Sequence, residues 1–275
     1  LTRRIGTWLT IMAIFFSTFT PLASAAYGPG QHNGDEVELV DGGAFAVTIG
    51  EHRTHFPSHG RFAGRAANVR LAAERLDGIV LEPGQALSFN ESVGHRTQEE
   101  GFEFAPVIAN GQIKRGVGGG VCQVATTLHV AAVTAGLTIL ERRAHSRPSH
   151  YVDAGMDATV VDGRVDYRIA NPYDFPIAVR MKTTDSDDLL VVITGAERVS
   201  ETAFHSRRVR VLPIRERRVV DPTLPTGAEV VDREGREGLV VRVVTERDGE
   251  SHSEIVRYAP APRIVRVGGP VAVGA

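Results

Sequence analysis

Apolar residues recur at helical spacing in two parts of this chain and alternate with polar ones in several others. Over residues 64–80, the apolar positions Val69, Ala72, Leu76 and Ile79 predict an amphipathic helix. A stronger pattern starts at Val121, where Val124, Ala125, Leu128, Ala131, Ala132 and Ala135 keep to one helical face, with Gly136 as the expected C-cap. Between the two, Glu82-Pro83-Gly84 reads as a turn and residues 86–89 as the start of an extended segment. Residues 102–113 read as a strand pair about Asn110-Gly111.

Strand patterns dominate the rest. A Gly-rich lead-in holds one run, residues 44–49. After the second helix come runs at 158–161, 165–169, 177–182 and 189–194, separated by Asp162-Gly163 and Asn171-Pro172 turns. This alternation predicts an antiparallel meander, so the central region is expected to be α+β, two helices on an antiparallel sheet. Beyond residue 200 no helical period appears, and long alternating runs such as residues 208–212 and 238–244 predict a second, small all-β domain. The expected segments are 1–26, a lead-in at 27–54, the α+β domain at 55–197 and the all-β domain at 204–270.

The N-terminus adds a location. Arg3 and Arg4 precede an apolar stretch from Ile5 to Phe19, then Pro21 and the small-x-small site Ala23-Ser24-Ala25. That order is expected for a secretory signal peptide, with the mature chain starting near Ala26. An uncleaved membrane anchor is the alternative, disfavoured because the stretch is short for a bilayer core of about 30 Å. The chain is thus expected outside the cytoplasm, with membrane contact only through that segment if it is retained.

Composition mainly excludes. The 275 residues carry 31 basic and 33 acidic groups, net −2, which leaves no electrostatic footprint for nucleic acid. The single cysteine, Cys122, rules out an internal disulfide and any multi-cysteine metal site within the chain. His52, His55 and His59 sit near one another, but their loose spacing and Pro57 argue for a solvated loop rather than a metal site. No cofactor or metal is expected.

In an exported protein, a free thiol is a liability unless it is buried or used. Cys122 follows Gly118-Gly119-Gly120-Val121 and falls in the first turn of the second helix. The helix dipole and unpaired amides there favour a thiolate, and the glycines allow a substrate to come close. The amides of Gly119, Gly120 and Val121 are candidates for an oxyanion hole. Cys122, Thr126, His129 and Val133 lie off the predicted apolar face, so the thiol need not be core. An inert buried cysteine is the competing reading.

A nucleophile needs a base. His129 shares the helix face of Cys122, but seven residues span about 10.5 Å of rise, too far for a direct bond. His145, after the helix turns back, is the better candidate, with His150 its rival. Asp157 is placed to orient the imidazole in a Cys-His-Asp arrangement. Asn90, Arg96, Gln123 and Ser146 are candidate substrate-binding residues, Arg96 being suited to a carboxylate.

Several stretches resemble the VanW-like family of envelope proteins. They include Leu81-Glu-Pro-Gly-Gln-Ala-Leu-Ser-Phe-Asn90, Val93-Gly-His-Arg-Thr97, Gly118-Gly-Gly-Val-Cys-Gln-Val-Ala-Thr-Thr-Leu128, His145-Ser146, Tyr151-Val152 and Gly155-Met-Asp-Ala-Thr-Val160. The resemblance covers about residues 55–195. Residues 205–270 resemble a five-glycine (G5) domain through Val220-Asp-Pro-Thr-Leu-Pro-Thr-Gly227, Glu234-Gly-Arg-Glu-Gly238 and Pro262-Arg-Ile-Val-Arg-Val-Gly-Gly-Pro270.

The first resemblance implies a cell-wall protein, linked by the family's name to vancomycin resistance. It further implies a peptidoglycan L,D-transpeptidase that uses Cys122 as nucleophile on stem peptides. The second implies a small, elongated module that binds polymers containing N-acetylglucosamine. A binding-only protein and a cysteine amidase or endopeptidase remain open beside the transpeptidase. The roles of His145 and Asp157 come from chemistry and position, not from the resemblance.

Overall fold

The computed structural model describes residues 43–109 and 112–269. The expected signal peptide, most of the lead-in and the Asn110-Gly111 turn lie outside the described residues. Among those described, no helix is long and apolar enough to cross a membrane.

The chain is mostly β-strand with few helices. It opens with β1 (Val47–His55), a one-turn 3-10 helix and α1 (Ala63–Leu76), then β2 (Ile79–Leu81), β3 (Ala86–Ser88) and the short α2 (Phe89–Val93). The hairpin β4 (Phe104–Ala109) and β5 (Gln112–Val117) leads into α3 (Val121–Thr134), β6 (Thr138–Glu141), β7 (Arg168–Ala170), β8 (Ile177–Thr183) and β9 (Asp188–Gly195). The last segment is all strand: β10 (Ala203–Leu212), β11 (Glu216–Asp221), β12 (Glu229–Arg233), β13 (Gly238–Arg247), β14 (Glu250–Tyr258) and β15 (Arg263–Gly268).

The first core lies between helices and sheet. Strands in the order β1-β9-β8-β2 form an antiparallel sheet, and α1 and α3 pack against it. Val69, Ala72 and Leu76 of α1 meet Val124, Leu128 and Ala131 of α3 and Val179, Val191 and Ile193 of the sheet. Each is nearly solvent-free, and burying a Val or Leu side chain contributes roughly 1.5–3 kcal/mol before chain entropy is charged against it. Ser88 caps α2 by accepting the Glu91 N–H.

Two expectations need correction. The four runs from 158 to 194 do not form one meander. Residues 158–161 make only a bridge from Val161 to Val165, and β7 pairs with β3 and β6, whereas β8 pairs with β9 and β2. The crossing between sheets follows Asn171, whose amide donates to Leu81 O and Phe175 O while its oxygen accepts Tyr173 N–H. Alternation reveals that a segment is a strand but not which strand it pairs with.

The His52-to-His59 segment is loop only beyond His55, where His59 is exposed. The strand begun in the lead-in runs on through His55, with His52 buried in β1 and His55 beside Asp188 at 3.2 Å. Burial holds His52 neutral, its pKa lowered to about 4.

The C-terminal strands form two three-stranded sheets, β10-β13-β14 and β11-β15-β12, with β11 and β15 parallel. Val241, Val243, Val256 and Tyr258 form a second core. Against it pack Ala144 and Ala154, which belong to the connection between β6 and β7. That connection carries both His145 and Asp157.

Candidate active site

The site starts with a glycine turn that has no room for side chains. A Cβ on Gly119 would lie 2.5 Å from the Pro106 carbonyl oxygen. One on Gly120 would lie 2.9 Å from Arg65 O, and Gly120 also takes a φ of 112°, where side chains are strained. Asn68, buried on α1, locks this turn by donating to Glu103 O and Gly119 O and accepting the Glu103 N–H. α3 therefore begins at a fixed point with Cys122 in its first turn, where the dipole favours negative charge.

Cys122 is half-buried. Its thiol donates to Val160 O at 3.4 Å, and the His145 imidazole is near enough to influence its ionisation. Although burial opposes ionisation, the His145 bond and charge, helped by the Arg96 charge, bring the thiol below its ordinary pKa. Cys122 and His145, the expected pair, are thus electrostatically coupled. His145 is reached because the chain doubles back after β6 and returns to the start of α3.

Asp157 stands behind the imidazole. Its Oδ2 accepts both the main-chain N–H of His145, at 2.6 Å, and ring Nδ1, at 2.5 Å. Burial works against both charges but loses. The Asp157 and Cys122 bonds raise His145 to about 9, while the His145 and Tyr258 bonds lower Asp157 to about 2. An ionised carboxylate has no proton to give, so Nδ1 carries a proton whether the ring is neutral or charged.

The rival histidines go elsewhere. His150 is exposed and lies edge-on to the Tyr151 ring. His129 is buried between the rings of Tyr167 and Phe204, and burial lowers its pKa to about 3, so it stays neutral. The helix face it shares with Cys122 was expected to be less buried, yet Thr126, His129 and Val133 are all buried. The C-terminal sheet, which contributes Phe204, helps to cover that face.

Other candidates divide between the site and the frame around it. Arg96 packs over Gly118, its side chain 8 % exposed, and donates to Gly94 O at 2.8 Å and Asn90 Oδ1 at 2.5 Å. Asn90 in turn donates to Val165 O, so it positions Arg96. Gln123 is 1 % exposed, and its amide is committed to Arg65, Thr54 and His55 O, so it is a clamp between β1, α1 and α3 and not a substrate contact. Val121 N–H donates to Gly118 O at 3.2 Å, which takes that amide out of the candidate oxyanion donors. Ser146 is exposed.

Three neighbours escaped the sequence reading. Arg65 reaches across from α1, its guanidinium 6.0 Å from the Tyr151 ring centroid and its charge felt at Cys122. Tyr151 has its pKa raised by burial and by the Cys122 charge. Only Tyr151 left a sequence signal, in the Tyr151-Val152 stretch. Tyr258 arrives from β14 and donates to Asp157 Oδ1. Nothing local in the sequence connects it with a residue 101 positions away.

The α+β part and the all-strand part each have known counterparts. Residues 64–194 match the family model described as VanW like protein, and residues 206–269 match that of the G5 domain. The chain carries a VanW-like domain followed by a G5 domain. Among curated relatives, the uncharacterized protein YoaR of Bacillus subtilis (strain 168) is 42% identical over 134 residues, 49% of this chain and 44% of that protein. The vancomycin B-type resistance protein VanW of Enterococcus faecalis (strain ATCC 700802 / V583) is 29% identical over 155 residues, 49% of this chain and 56% of that protein. The chain thus spans about half the length of the curated relatives it matches. A solved IgA1 protease G5 domain shares 26% identity, covering 27% of this chain and 98% of that one, with a TM-score of 0.19.

Proposed function

We propose that this is an exported cell-wall protein that carries out acyl transfer through Cys122, with peptidoglycan stem peptides as substrates and L,D cross-links as products. The observation that carries the reading is the hydrogen-bonded His145–Asp157 pair electrostatically coupled to a cysteine in the first turn of α3. The relative named for vancomycin resistance and the G5 domain, a module class associated with N-acetylglucosamine polymers, support a wall setting. The signal peptide expected from the N-terminal sequence agrees with it.

In the first half-reaction the Cys122 thiolate adds to the carbonyl preceding a D-residue. The Gly119 and Gly120 amides stabilise the oxyanion, and the imidazolium of His145 gives its Nε2 proton to the departing amine. The carbon–nitrogen bond breaks, D-alanine leaves and a thioester forms. In the second half-reaction neutral His145 takes a proton from the amine of another stem as that nitrogen attacks the thioester. An amide forms, the carbon–sulfur bond breaks and the thiolate–imidazolium pair is restored. Arg96, whose charge acts on the thiol, is suited to the stem carboxylate.

Mass spectrometry of the intact chain after exposure to a tetrapeptide stem tests this reading. An acyl adduct on Cys122, absent from Cys122→Ala, is expected. The same amount of cross-linked dimer from wild type and Cys122→Ala would overturn it.

A further inference from the structure

We propose that the G5 domain completes the catalytic site, with Tyr258 acting as a positioning residue that holds the Asp157 carboxylate and thereby aims His145 at Cys122. The inference rests on the cysteine reading above and adds to it a residue from outside the VanW-like domain.

The direction of every bond in this cluster follows from its donors and acceptors. Gly155 N–H can only donate, and it does so to the Tyr258 hydroxyl at 2.6 Å. The hydroxyl proton is then free to go to Asp157 Oδ1, because an ionised carboxylate can only accept. Asp157 Oδ2 takes both donors of His145. The carboxylate is therefore gripped from opposite sides, with one oxygen for the imidazole and the other for Tyr258. Asp157 is 0 % exposed, so no solvent replaces the tyrosine if its hydroxyl is lost.

Packing shows why the tyrosine belongs to this arrangement. Its ring fills the second core with Val241, Val243 and Val256, a place phenylalanine would fill equally well. The hydroxyl instead points out of that core and into the neighbouring domain's carboxylate. Burying a hydroxyl is costly unless it is bonded, and here both of its bonds go to the segment that carries Asp157.

That segment is seated on the G5 domain by other contacts as well. Gly155 has a φ of 98°, and a Cβ on it would lie 2.6 Å from Val243 and 2.7 Å from Val241, so its backbone lies directly on β13. Arg142 donates to the carbonyl oxygens of Asp157 and Gly155 and reaches Glu254 of β14 at 2.7 Å. The loop bearing the acid of the site thus has one wall made of the C-terminal strands.

The test is Tyr258→Phe in the full chain, which keeps the ring and removes only the hydroxyl. Alkylation of Cys122 by iodoacetamide is followed against pH, together with the His145 titration by NMR. A carboxylate left loose grips the imidazole less firmly, so His145 is expected to titrate below its wild-type value. The acid limb of alkylation is expected to move to higher pH, with the rate at mildly acidic pH falling roughly threefold to tenfold. Asp157→Asn should move both in the same direction and further.

Should Tyr258→Phe lower only the melting temperature and leave both titrations unchanged, Tyr258 is structural and the inference fails while the cysteine reading stands. If wild type itself shows no thiolate below the ordinary cysteine range, both fail together. A check that needs no variant is the Tyr258 hydroxyl proton in wild type. Its resonance should shift as His145 titrates near 9, and an unmoved resonance would count against the coupling.

Discussion

His145 donates to Asp157 twice, through its main-chain N–H at 2.6 Å and its ring Nδ1 at 2.5 Å, and both bonds end on the same oxygen. Backbone and side chain of one residue are therefore fixed by a single carboxylate. The imidazole has little freedom to turn away from Cys122, and its tautomer is set. Several consequences can be measured.

Stability should depend on pH from both sides. His145, raised to about 9, contributes stability that is fully present below its unfolded value near 6.5 and is lost as pH rises through 9. Asp157, lowered to about 2, contributes stability present above its unfolded value and lost as pH falls through 2. The urea midpoint should be flat in mildly acidic solution and decline in both directions. In His145→Gln the alkaline decline attributed to this pair should disappear.

Arg96→Met should make Cys122 harder to ionise, because it removes a buried positive charge whose influence lowers the thiol pKa. The acid limb of iodoacetamide alkylation is expected to move to higher pH, with a rate loss of roughly threefold to tenfold in mildly acidic solution. An unchanged profile would show that the guanidinium is too well screened to matter.

Gly120→Ala should impair both folding and chemistry. The new methyl would enter a left-handed backbone position 2.9 Å from Arg65 O, at a cost of about 1–2 kcal/mol from the backbone alone. Because Gly120 directly precedes α3, alkylation of Cys122 should slow even in the fraction that remains folded. Differential scanning calorimetry and alkylation on one sample separate the two effects.

Gln123→Leu should act on stability and not on substrate affinity. The substitution leaves Arg65, Thr54 and His55 O without a common partner in a buried place, a loss of about 1–3 kcal/mol for each group left unsatisfied. Chemical denaturation should show the loss, while KM for a stem peptide stays near wild type. A raised KM with unchanged stability would return Gln123 to the substrate-binding set.

The local signals in this chain were good guides to local structure. Val69, Ala72 and Leu76 marked the buried face of α1, and the series from Val121 to Ala135 marked α3. The three glycines before Cys122 announced a close-packed turn, and two of them have no room for a Cβ. His145 and Asp157 were identifiable as partners of each other from their chemistry and their place after a helix that must turn back.

What tertiary structure decided was pairing between distant segments. No pattern within residues 158–194 tells that β7 joins β3 and β6 while β8 joins β9, since alternation looks the same whichever partner a strand finds. The spare lone pairs of Asp157 likewise do not reveal that Tyr258 will meet them, because that contact exists only once two domains pack together. Periodicity and turn chemistry are properties of neighbours along the chain, so the sequence states them directly. Which buried donor meets which buried acceptor is settled by how helices and sheets stack, and that follows from the whole set of packed surfaces at once.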